Sequence, residues 1–462
     1  MKQVSFFLAG LCGALLLSCS PTPSGSLFNG KDASRWQASG SQNVSDGVWT
    51  LSGGATALLK KGDYKNFSLS LELQTTPGGK GAVWFHTDRG LDKGYRVAVN
   101  NDRSDPVWWR MSGSLISVRN LAKSFIKENT WYKMEIRVEG HSIKVGINGQ
   151  PVVDYIEPAK PYRVGANKNA LLSDGIFAIS STGKGAIRIR SIQVKALPEL
   201  EPEQLSAQLS KALNEQTDKI IRLHQEDFPV LDYHVHLKGG LSKEVAAAQS
   251  RRLGINYAIA PNCGIGFPIQ TDQDIKNFLD TMRTQPFILP MQAEGREWTK
   301  TFSPEVRGQF DYIFTDAMTF TDDHGRRTRL WIAKETWIDN EEKYMDMILD
   351  RILKVLKEPA DVYVNPCYLP PQMQDRYDHF WTEARQDRFI KALKESGKAL
   401  EINELYQIPS LAILRKAKAA GVKFTFGSNN VTPNVSDLSY SLRMKDSLQL
   451  KPSDMYKPKI KI

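Results

Sequence analysis

Cysteine is scarce in this chain, with four among 462 residues. So low a number excludes a disulfide-stapled scaffold. Cys12 and Cys19 lie near the N-terminus, and only Cys263 and Cys367 belong to the expected folded body. For these two, three interpretations remain open: soft metal ligands, a disulfide in an oxidising compartment, or inert core thiols.

Blocks of like charge are also missing. The net charge of +10 is spread along the sequence, and no nucleic-acid-binding motif is present, so we expect no nucleic-acid partner. Hydrophobic residues make up 41% and charged residues 24%, which is typical of a globular protein. The length predicts two or three domains.

Long apolar runs are absent after the first residues. Lys2 precedes a single apolar run over residues 4–17, which is typical of a secretory signal and too short to span a membrane. Leu16-Leu17-Ser18-Cys19 resembles a bacterial lipobox, in which the cysteine carries the lipid. We predict a signal peptide over 1–19, a tether over 20–25 and a lipid-anchored protein of the bacterial cell envelope, periplasmic or surface-facing. The alternative is an ordinary signal peptide with a chance cysteine.

Residues 26–197 alternate apolar and polar side chains with a period of two. Asn148-Gly149 between two such runs is a strong hairpin signal. Many short strands and no long helical pattern predict an all-β jelly-roll sandwich. The clearest runs are Phe67–Leu73, Tyr95–Val99, Tyr132–Val138 and Ser142–Ile147.

The opening of this domain resembles a known family. Ser26-Leu27-Phe28-Asn29-Gly30-Lys31-Asp32, followed by Trp36, is similar to the start of the 3-keto-disaccharide hydrolase domain, a concanavalin-like jelly roll. The resemblance covers nearly all of the domain and implies a carbohydrate or modified-sugar substrate and hydrolase activity. Further matching landmarks are Asp46-Gly47, Asp63–Phe67, Trp131–Lys133, Ile147–Gly149 and Gly175–Phe177.

Two positions depart from that family. Gly94-Tyr95-Arg96-Val97-Ala98 stands where its members carry Gly-Tyr-Glu-x-Gln. Glycosidic cleavage generally uses carboxylates. Because Arg96 replaces the family's glutamate, we expect this face to bind a glycan rather than to cleave it. The alternative is that its tryptophans are core packing. The predicted sugar contacts are Trp84, His86, Arg96, Trp108, Trp109 and Arg110.

The strand pattern ends at Leu197. From Glu203 to about Glu226 the leucine spacing becomes helical, and Pro202 suits a first helical turn. We predict one linker helix within residues 198–226.

From residue 227 to 462, short apolar runs alternate with amphipathic helical runs, which predicts an α/β fold of the (β/α)7 barrel type. In such barrels the site lies at the carboxyl ends of the strands. The expected strand ends are His234, Cys263, Glu294, Asp316, Asn365, Asn403 and Asn429. The expected helices are Lys243–Arg252, Asp272–Met282, Glu341–Lys357, Asp387–Ser396 and Ser410–Ala420.

Asp232, His234 and His236 share one face of the first of these strands, because side chains alternate. Two imidazoles at a strand end form half of a divalent-metal site; the alternative is two hydrogen-bonded histidines. We predict one divalent ion such as zinc or manganese, with Asp316 or Glu401 as general base toward its water. The predicted ligands are His234, His236, Glu294 and Asp316.

Seven strands opening on Asp-x-His-x-His resemble the polymerase-and-histidinol-phosphatase (PHP) family of metal-dependent phosphoesterases. Glu294 matches that family's metal-bridging glutamate. Cys263, Asn365 and Asn429 stand where its members carry other ligands, so the resemblance implies at most a single-metal site here. A metal-free descendant that binds a ligand in the same cleft is the alternative.

The charged stretch Thr319–Trp337 is predicted to be a lid or substrate loop. The alternative is a solvent-exposed surface loop. Arg296 and Arg327 are candidate contacts to an acidic substrate.

Together these features favour an envelope-anchored, carbohydrate-active hydrolase: the jelly roll holds a glycan, and hydrolysis occurs at a single-metal site in the barrel. Three alternatives remain: a jelly roll that itself cleaves 3-keto sugars, a non-catalytic glycan-binding lipoprotein and a PHP-type phosphoesterase.

Overall fold

A computed structural model of the protein describes residues 24–435 and 437–461. The predicted signal peptide, the lipidated Cys19 and most of the tether lie outside these residues and stay predictions. Within the described part, no helix is long and apolar enough to cross a membrane.

Eleven strands form the N-terminal domain: β1 (Gly25–Phe28), β2 (Trp36–Ser45), β3 (Val48–Leu59), β4 (Phe67–Thr75), β5 (Lys80–Thr87), β6 (Tyr95–Asn100), β7 (Tyr132–Glu139), β8 (Ser142–Ile147), β9 (Gln150–Ile156), β10 (Ile176–Ser181) and β11 (Ile187–Ala196). They make one antiparallel sheet in the order β6-β5-β10-β3-β11-β4-β7-β8-β9, with β1 on β11 and β2 on β3. The sheet curls around its own core, which confirms a jelly-roll-like fold. The two expected sheets are parts of one continuous sheet.

The period-two pattern explains this core. Along β7, Tyr132, Met134, Ile136 and Val138 are buried while the residues between them are not. The predicted hairpin is also present: Asn148 and Gly149 have φ values of 50° and 80° and join β8 to β9.

The linker is not a single helix. The structure has α1 (Pro202–Leu209) and α2 (Lys219–Gln225), separated by residues 210–218. The break has a physical cause, because Glu215 lies 2.7 Å from the Arg163 guanidinium in the N-terminal domain, and both side chains are buried. That contact overrides the helical spacing of the leucines.

The C-terminal domain holds an eight-stranded parallel sheet in the order β13-β12-β21-β20-β19-β16-β15-β14, and a separate hairpin of β17 and β18. Its strands are β12 (Leu231–Val235), β13 (Asn256–Ile259), β14 (Asn262–Cys263), β15 (Pro290–Ala293), β16 (Tyr312–Thr315), β17 (Thr319–Thr321), β18 (Arg327–Arg329), β19 (Val362–Tyr363), β20 (Ala399–Asn403) and β21 (Phe424–Gly427). Its helices are α3 (Lys243–Leu253), α4 (Asp272–Met282), α5 (Trp298–Thr301), α6 (Pro304–Arg307), α7 (Glu341–Val355), α8 (Tyr377–Phe380), α9 (Glu383–Ser396), α10 (Leu411–Ala419) and α11 (Ser439–Leu448). Short 3₁₀ turns occur at Gly165–Asn167, Ala333–Glu335, Gln374–Arg376 and Pro452–Asp454.

The two edge strands of this sheet, β13 and β14, are consecutive pieces of one chain segment, parted by Ala260 and Pro261. The sheet is therefore strongly curled, and the expected parallel α/β architecture is confirmed at that level. Closure into a seven-stranded barrel stays a prediction.

The two domains are joined by specific contacts. Asn256 Nδ2 donates to the Asn120 carbonyl at 2.9 Å, and its Oδ1 accepts from the Ala122 backbone N–H at 3.0 Å. Trp109 Nε1 donates to Asp227 Oδ1 at 2.9 Å. These bonds fix the loop before β7 against the start of the parallel sheet.

Candidate active site

A pocket of about 260 Å³ opens at the carboxyl ends of the parallel strands, where folds of this class generally carry their sites. We call it the rim pocket. Its lining residues are His236, Lys238, Asn262, Phe267, Pro268, Gln292, Glu294, Asp316, Met318, Trp331, Asn365, Leu405, Tyr406, Asn429 and Val431.

The two predicted histidines meet beside this pocket. His236 Nδ1 lies 2.9 Å from the Ala260 carbonyl oxygen, which can only accept, so Nδ1 carries the proton. His234 Nδ1 lies 2.6 Å from Glu401 Oε1 and donates to that carboxylate. Both Nε2 atoms are thereby left with lone pairs, and they lie 3.1 Å apart. Two facing lone pairs require an electrophile between them, either a proton or a metal ion.

Glu401, predicted as a general base, is fully buried behind His234 and is not among the described lining residues. Its other oxygen accepts from the Asn365 backbone N–H at 2.7 Å and from Asn403 Nδ2 at 2.9 Å. A Cβ at Gly427 would lie 2.1 Å from Glu401 Oε1, so glycine there permits this arrangement. Glu401 therefore orients the His234 ring and does not face a substrate.

Two buried carboxyl groups share the rim pocket. Glu294 follows β15 and Asp316 follows β16, which are neighbouring parallel strands, and each side chain is 4% exposed. Burial raises the pKa of Glu294, and the Asp316 charge raises it further. Burial also raises the pKa of Asp316, although the hydrogen bond from Asn365 opposes this. Because two adjacent buried carboxylates repel each other, the pair retains a proton near neutral pH.

Amide side chains hold these carboxyl groups in place. Asn262 Nδ2 donates to Glu294 Oε1 at 2.7 Å, and Asn365 Nδ2 donates to Asp316 Oδ2 at 2.7 Å. Asn365 and Asn429 have positive φ values of 46° and 48°. This left-handed backbone region is costly for residues other than glycine and is concentrated at functional sites.

The imidazole pair fits a divalent ion in part. Zinc–nitrogen distances are about 2.0–2.1 Å, so one ion could bind two nitrogens 3.1 Å apart. The carboxylate and carbonyl behind the rings are partners typical of ligating histidines. In residues 24–435 and 437–461, however, no three His, Cys, Asp or Glu side chains are arranged to hold a metal. Glu294 or Asp316 would have to turn to complete a site, and the predicted metal ion stays a prediction.

The two predicted arginines differ in position. Arg296 lies 2.8 Å from both Glu358 Oε1 and the Asp316 carbonyl, so it braces the strand end that carries Asp316. Arg327 lies on the β17–β18 hairpin and donates to the Ile265 carbonyl at 2.8 Å, and it is not among the described lining residues of the rim pocket. Because Trp331 of the same segment lines the rim pocket, the segment contributes to the site, and its role as a lid or substrate loop stays a prediction.

Both cysteines of the C-terminal domain are free and buried, and burial raises the pKa of each thiol. The disulfide alternative for Cys263 and Cys367 is therefore not realised.

On the N-terminal domain, Trp84 and Arg96 lie on neighbouring strands, with the guanidinium 5.2 Å from the indole centroid. The other two tryptophans correct the expectation of one open sugar-contacting face. Trp108 and Trp109 are each 6% exposed and pack with the core of the C-terminal domain. Arg110 pairs with Asp227 at 2.8 Å. Rings that are only 6% exposed present little surface to a sugar.

Residues 23–195 match the family model of the 3-keto-alpha-glucoside-1,2-lyase-like domain. This match agrees with the resemblance of the opening motif, and we call this part of the chain the lyase-like domain. It supports activity on carbohydrates for the protein. No curated protein matches the chain.

Solved structures similar to the chain include a putative glycosyl hydrolase from Parabacteroides distasonis, at 17% identity and a TM-score of 0.34, covering 38% of this chain and 94% of that one. The carbohydrate-binding module CBM66 from Bacillus subtilis matches at 15% identity and a TM-score of 0.27, covering 35% and 96%. The exoplasmic/lumenal domain of VIP36 matches at 14% identity and a TM-score of 0.30, covering 39% and 91%.

His86 of the lyase-like domain lines a separate cavity of about 440 Å³ beside α1. Its Nε2 donates to the Lys65 carbonyl at 2.9 Å, and its Nδ1 accepts from the Ser173 backbone N–H at 3.2 Å. The ring is 1% exposed, and burial lowers its pKa to about 4. It therefore stays neutral in the folded protein and is not on the Trp84 face.

We expect His86 to make the protein acid-sensitive. Its pKa falls from 6.5 to about 4 on folding, so the stability it supports is present above pH 6.5 and is lost as the pH falls toward 4. The loss amounts to about 3 kcal/mol. His86→Gln should flatten this pH dependence in urea unfolding at pH 7.5 and 4.5. His324→Gln, at an exposed position, is the control, and equal slopes for wild type and His86→Gln would contradict the expectation.

Sequence reasoning missed four polar residues of the rim pocket: Lys238, Asn262, Gln292 and Tyr406. A signal existed for two of them. Lys238 continues the alternation of His234 and His236, and Gln292 lies two residues before Glu294, on the same face of its strand.

Proposed function

We propose that the protein is a carbohydrate-active hydrolase of the bacterial envelope. The lyase-like domain holds a glycan, and the rim pocket cleaves a glycosidic bond of a sugar or modified sugar such as a 3-keto-glucoside. The observation that carries the proposal is the pair of buried carboxyl groups, Glu294 and Asp316, in one amide-lined pocket. The lipobox-like sequence at Cys19 supports the location, and the family match supports the substrate class.

The two carboxyl groups suit different roles. Glycosidic cleavage uses a carboxylic acid to protonate the leaving oxygen and a carboxylate to activate water or attack the sugar. Glu294 is the acid, because burial and the Asp316 charge keep its pKa raised. Asp316 is the base or nucleophile, since hydrogen bonds from Asn365 Nδ2 and the Met318 backbone N–H favour its charged form.

The amides position the substrate. Side-chain amides both donate and accept, so Asn262, Gln292 and Asn429 suit sugar hydroxyls. A divalent ion held by His234 and His236 would act as a Lewis acid on a substrate oxygen. Glu401 would then keep the His234 Nε2 lone pair aimed at the ion.

We expect added zinc to bind the imidazole pair. Full-length protein should take up one equivalent in a titration, and the double variant His234→Ala, His236→Ala should take up none. His224→Ala is the control, because that buried histidine bonds the Gly254 carbonyl, away from the pocket. Equal uptake by wild type and the double variant would remove the metal from the proposal.

A second candidate, favoured by the family match, is that the lyase-like domain itself cleaves a 3-keto sugar. Full-length variants separate the two: loss of turnover in Asp316→Asn with normal turnover in Arg96→Ala assigns the chemistry to the rim pocket. The reverse result assigns it to the lyase-like domain. Glycan binding with no turnover by wild type favours the non-catalytic alternative, and hydrolysis of phosphoesters alone favours the PHP-type one.

A further inference from the structure

The rim pocket separates its polar and apolar groups by depth. Its floor residues, among them His236, Glu294 and Asn429, are at most 9% exposed. Three mouth residues are instead large, apolar and open to solvent: Trp331 at 37%, Leu405 at 39% and Val431 at 58%. Apart from Lys238 and the Tyr406 hydroxyl, the described lining residues offer no polar side chain at the mouth.

This apolar mouth is built on fixed segments. Leu330, next to Trp331, is 2% exposed and its backbone N–H donates to the Met318 carbonyl at 2.9 Å. The Arg327 bond to the Ile265 carbonyl ties the same segment to the loop that carries the lining residues Phe267 and Pro268. The backbone on both sides of the mouth is therefore fixed, while Trp331 is 37% exposed.

We propose that the rim pocket takes a glycoside whose leaving group is aromatic, with the sugar among the floor amides and the aromatic ring against Trp331, Leu405 and Val431. The inference rests on the proposed function, since it takes the floor as the sugar site. It adds the class of the leaving group.

Size and solvation favour this choice over a second sugar. A cavity of about 260 Å³ lies below the usual range of about 300–1,000 Å³ for small-molecule sites, so the enclosed part suits a single ring. A second sugar at the mouth would lose water from its hydroxyls and would find only Lys238 and the Tyr406 hydroxyl as partners there, which is unfavourable. An aromatic ring loses no hydrogen bonds and gains contact with the indole.

The test is calorimetric titration of the full-length wild-type protein with three glucosides whose sulfur linkage resists cleavage: phenyl thioglucoside, methyl thioglucoside and a thio-linked disaccharide. We expect the phenyl compound to bind about 10-fold more tightly than the other two. Trp331→Ala should abolish this preference, so that the phenyl and methyl compounds bind with similar affinity. Trp337→Ala is the matched control, because that ring is also 37% exposed but lies outside the pocket against Arg326.

Other results would separate a failure of the aromatic leaving group from a failure of the proposed function. A disaccharide that binds as tightly as the phenyl compound, or a preference that survives Trp331→Ala, overturns the aromatic leaving group and leaves the proposed function standing. Aromatic preference in a protein that turns over no glycoside supports the binding inference and contradicts the proposed hydrolysis. Failure of all three compounds to bind overturns both.

Discussion

The variant Glu294→Gln is expected to lose 10²- to 10⁴-fold in kcat on a glycoside substrate, which is about the contribution of a general acid. The amide cannot donate a carboxylic proton to the leaving oxygen. It still keeps an oxygen that can accept from Asn262 Nδ2, now 2.7 Å away, so the fold and KM should change little. Steady-state kinetics on aryl glucosides and 3-keto-glucosides would measure the loss.

Glu305→Gln is the matched control, because it makes the same change at an exposed position on α6 and should retain wild-type kcat. In the wild type, kcat should fall as rising pH removes the proton that burial retains on Glu294. Unchanged kcat in Glu294→Gln would mean that this carboxyl group is not the acid.

Arg163→Met is expected to lower the free energy of unfolding of the lyase-like domain by about 3–5 kcal/mol, the usual cost of breaking a buried ion pair. Arg163 and Glu215 are 2.7 Å apart, with side chains 2% and 1% exposed. The guanidinium also donates to the hydroxyls of Tyr155 and Tyr95, at 2.7 and 2.8 Å. Removing it leaves Glu215 charged and buried. Urea unfolding would measure the change.

The control is Arg137→Met at the exposed pair of Arg137 and Glu139, which lie 2.9 Å apart with side chains 46% and 29% exposed; it should cost at most about 1 kcal/mol. The double variant Arg163→Met, Glu215→Leu should recover part of the loss, since no lone charge stays buried. Equal effects of Arg163→Met and Arg137→Met would show that the buried network contributes little.

Much of the fold follows from local patterns. The strand predicted from the alternation along Tyr132–Val138 and the hairpin predicted at Asn148-Gly149 are both present in the structure. The helix predicted over Asp272–Met282 has those bounds in the structure, because Thr271 caps its first turn. The prediction of a single linker helix was wrong because the spacing of leucines carries no information about the attraction between Glu215 and Arg163, which is distant in sequence.

The candidate site was predictable in part for a related reason. Parallel strands end at one edge of their sheet. Polar residues at strand ends, such as Glu294 and Asp316, therefore lie close together there regardless of the conformation of the loops. The position of Glu401 behind His234 depends on the space left by Gly427, which no local pattern encodes. Trp108 and Trp109 were misplaced because a tryptophan pair at a domain interface and one on a sugar face look alike in sequence.

The most direct test of the central claim is a crystal structure of the full-length protein soaked with phenyl thioglucoside. We expect the sugar ring in the rim pocket, with its glycosidic sulfur between Glu294 and Asp316 and the phenyl ring against Trp331. A sugar bound only on the Trp84 face of the lyase-like domain, with the rim pocket holding solvent, would contradict it.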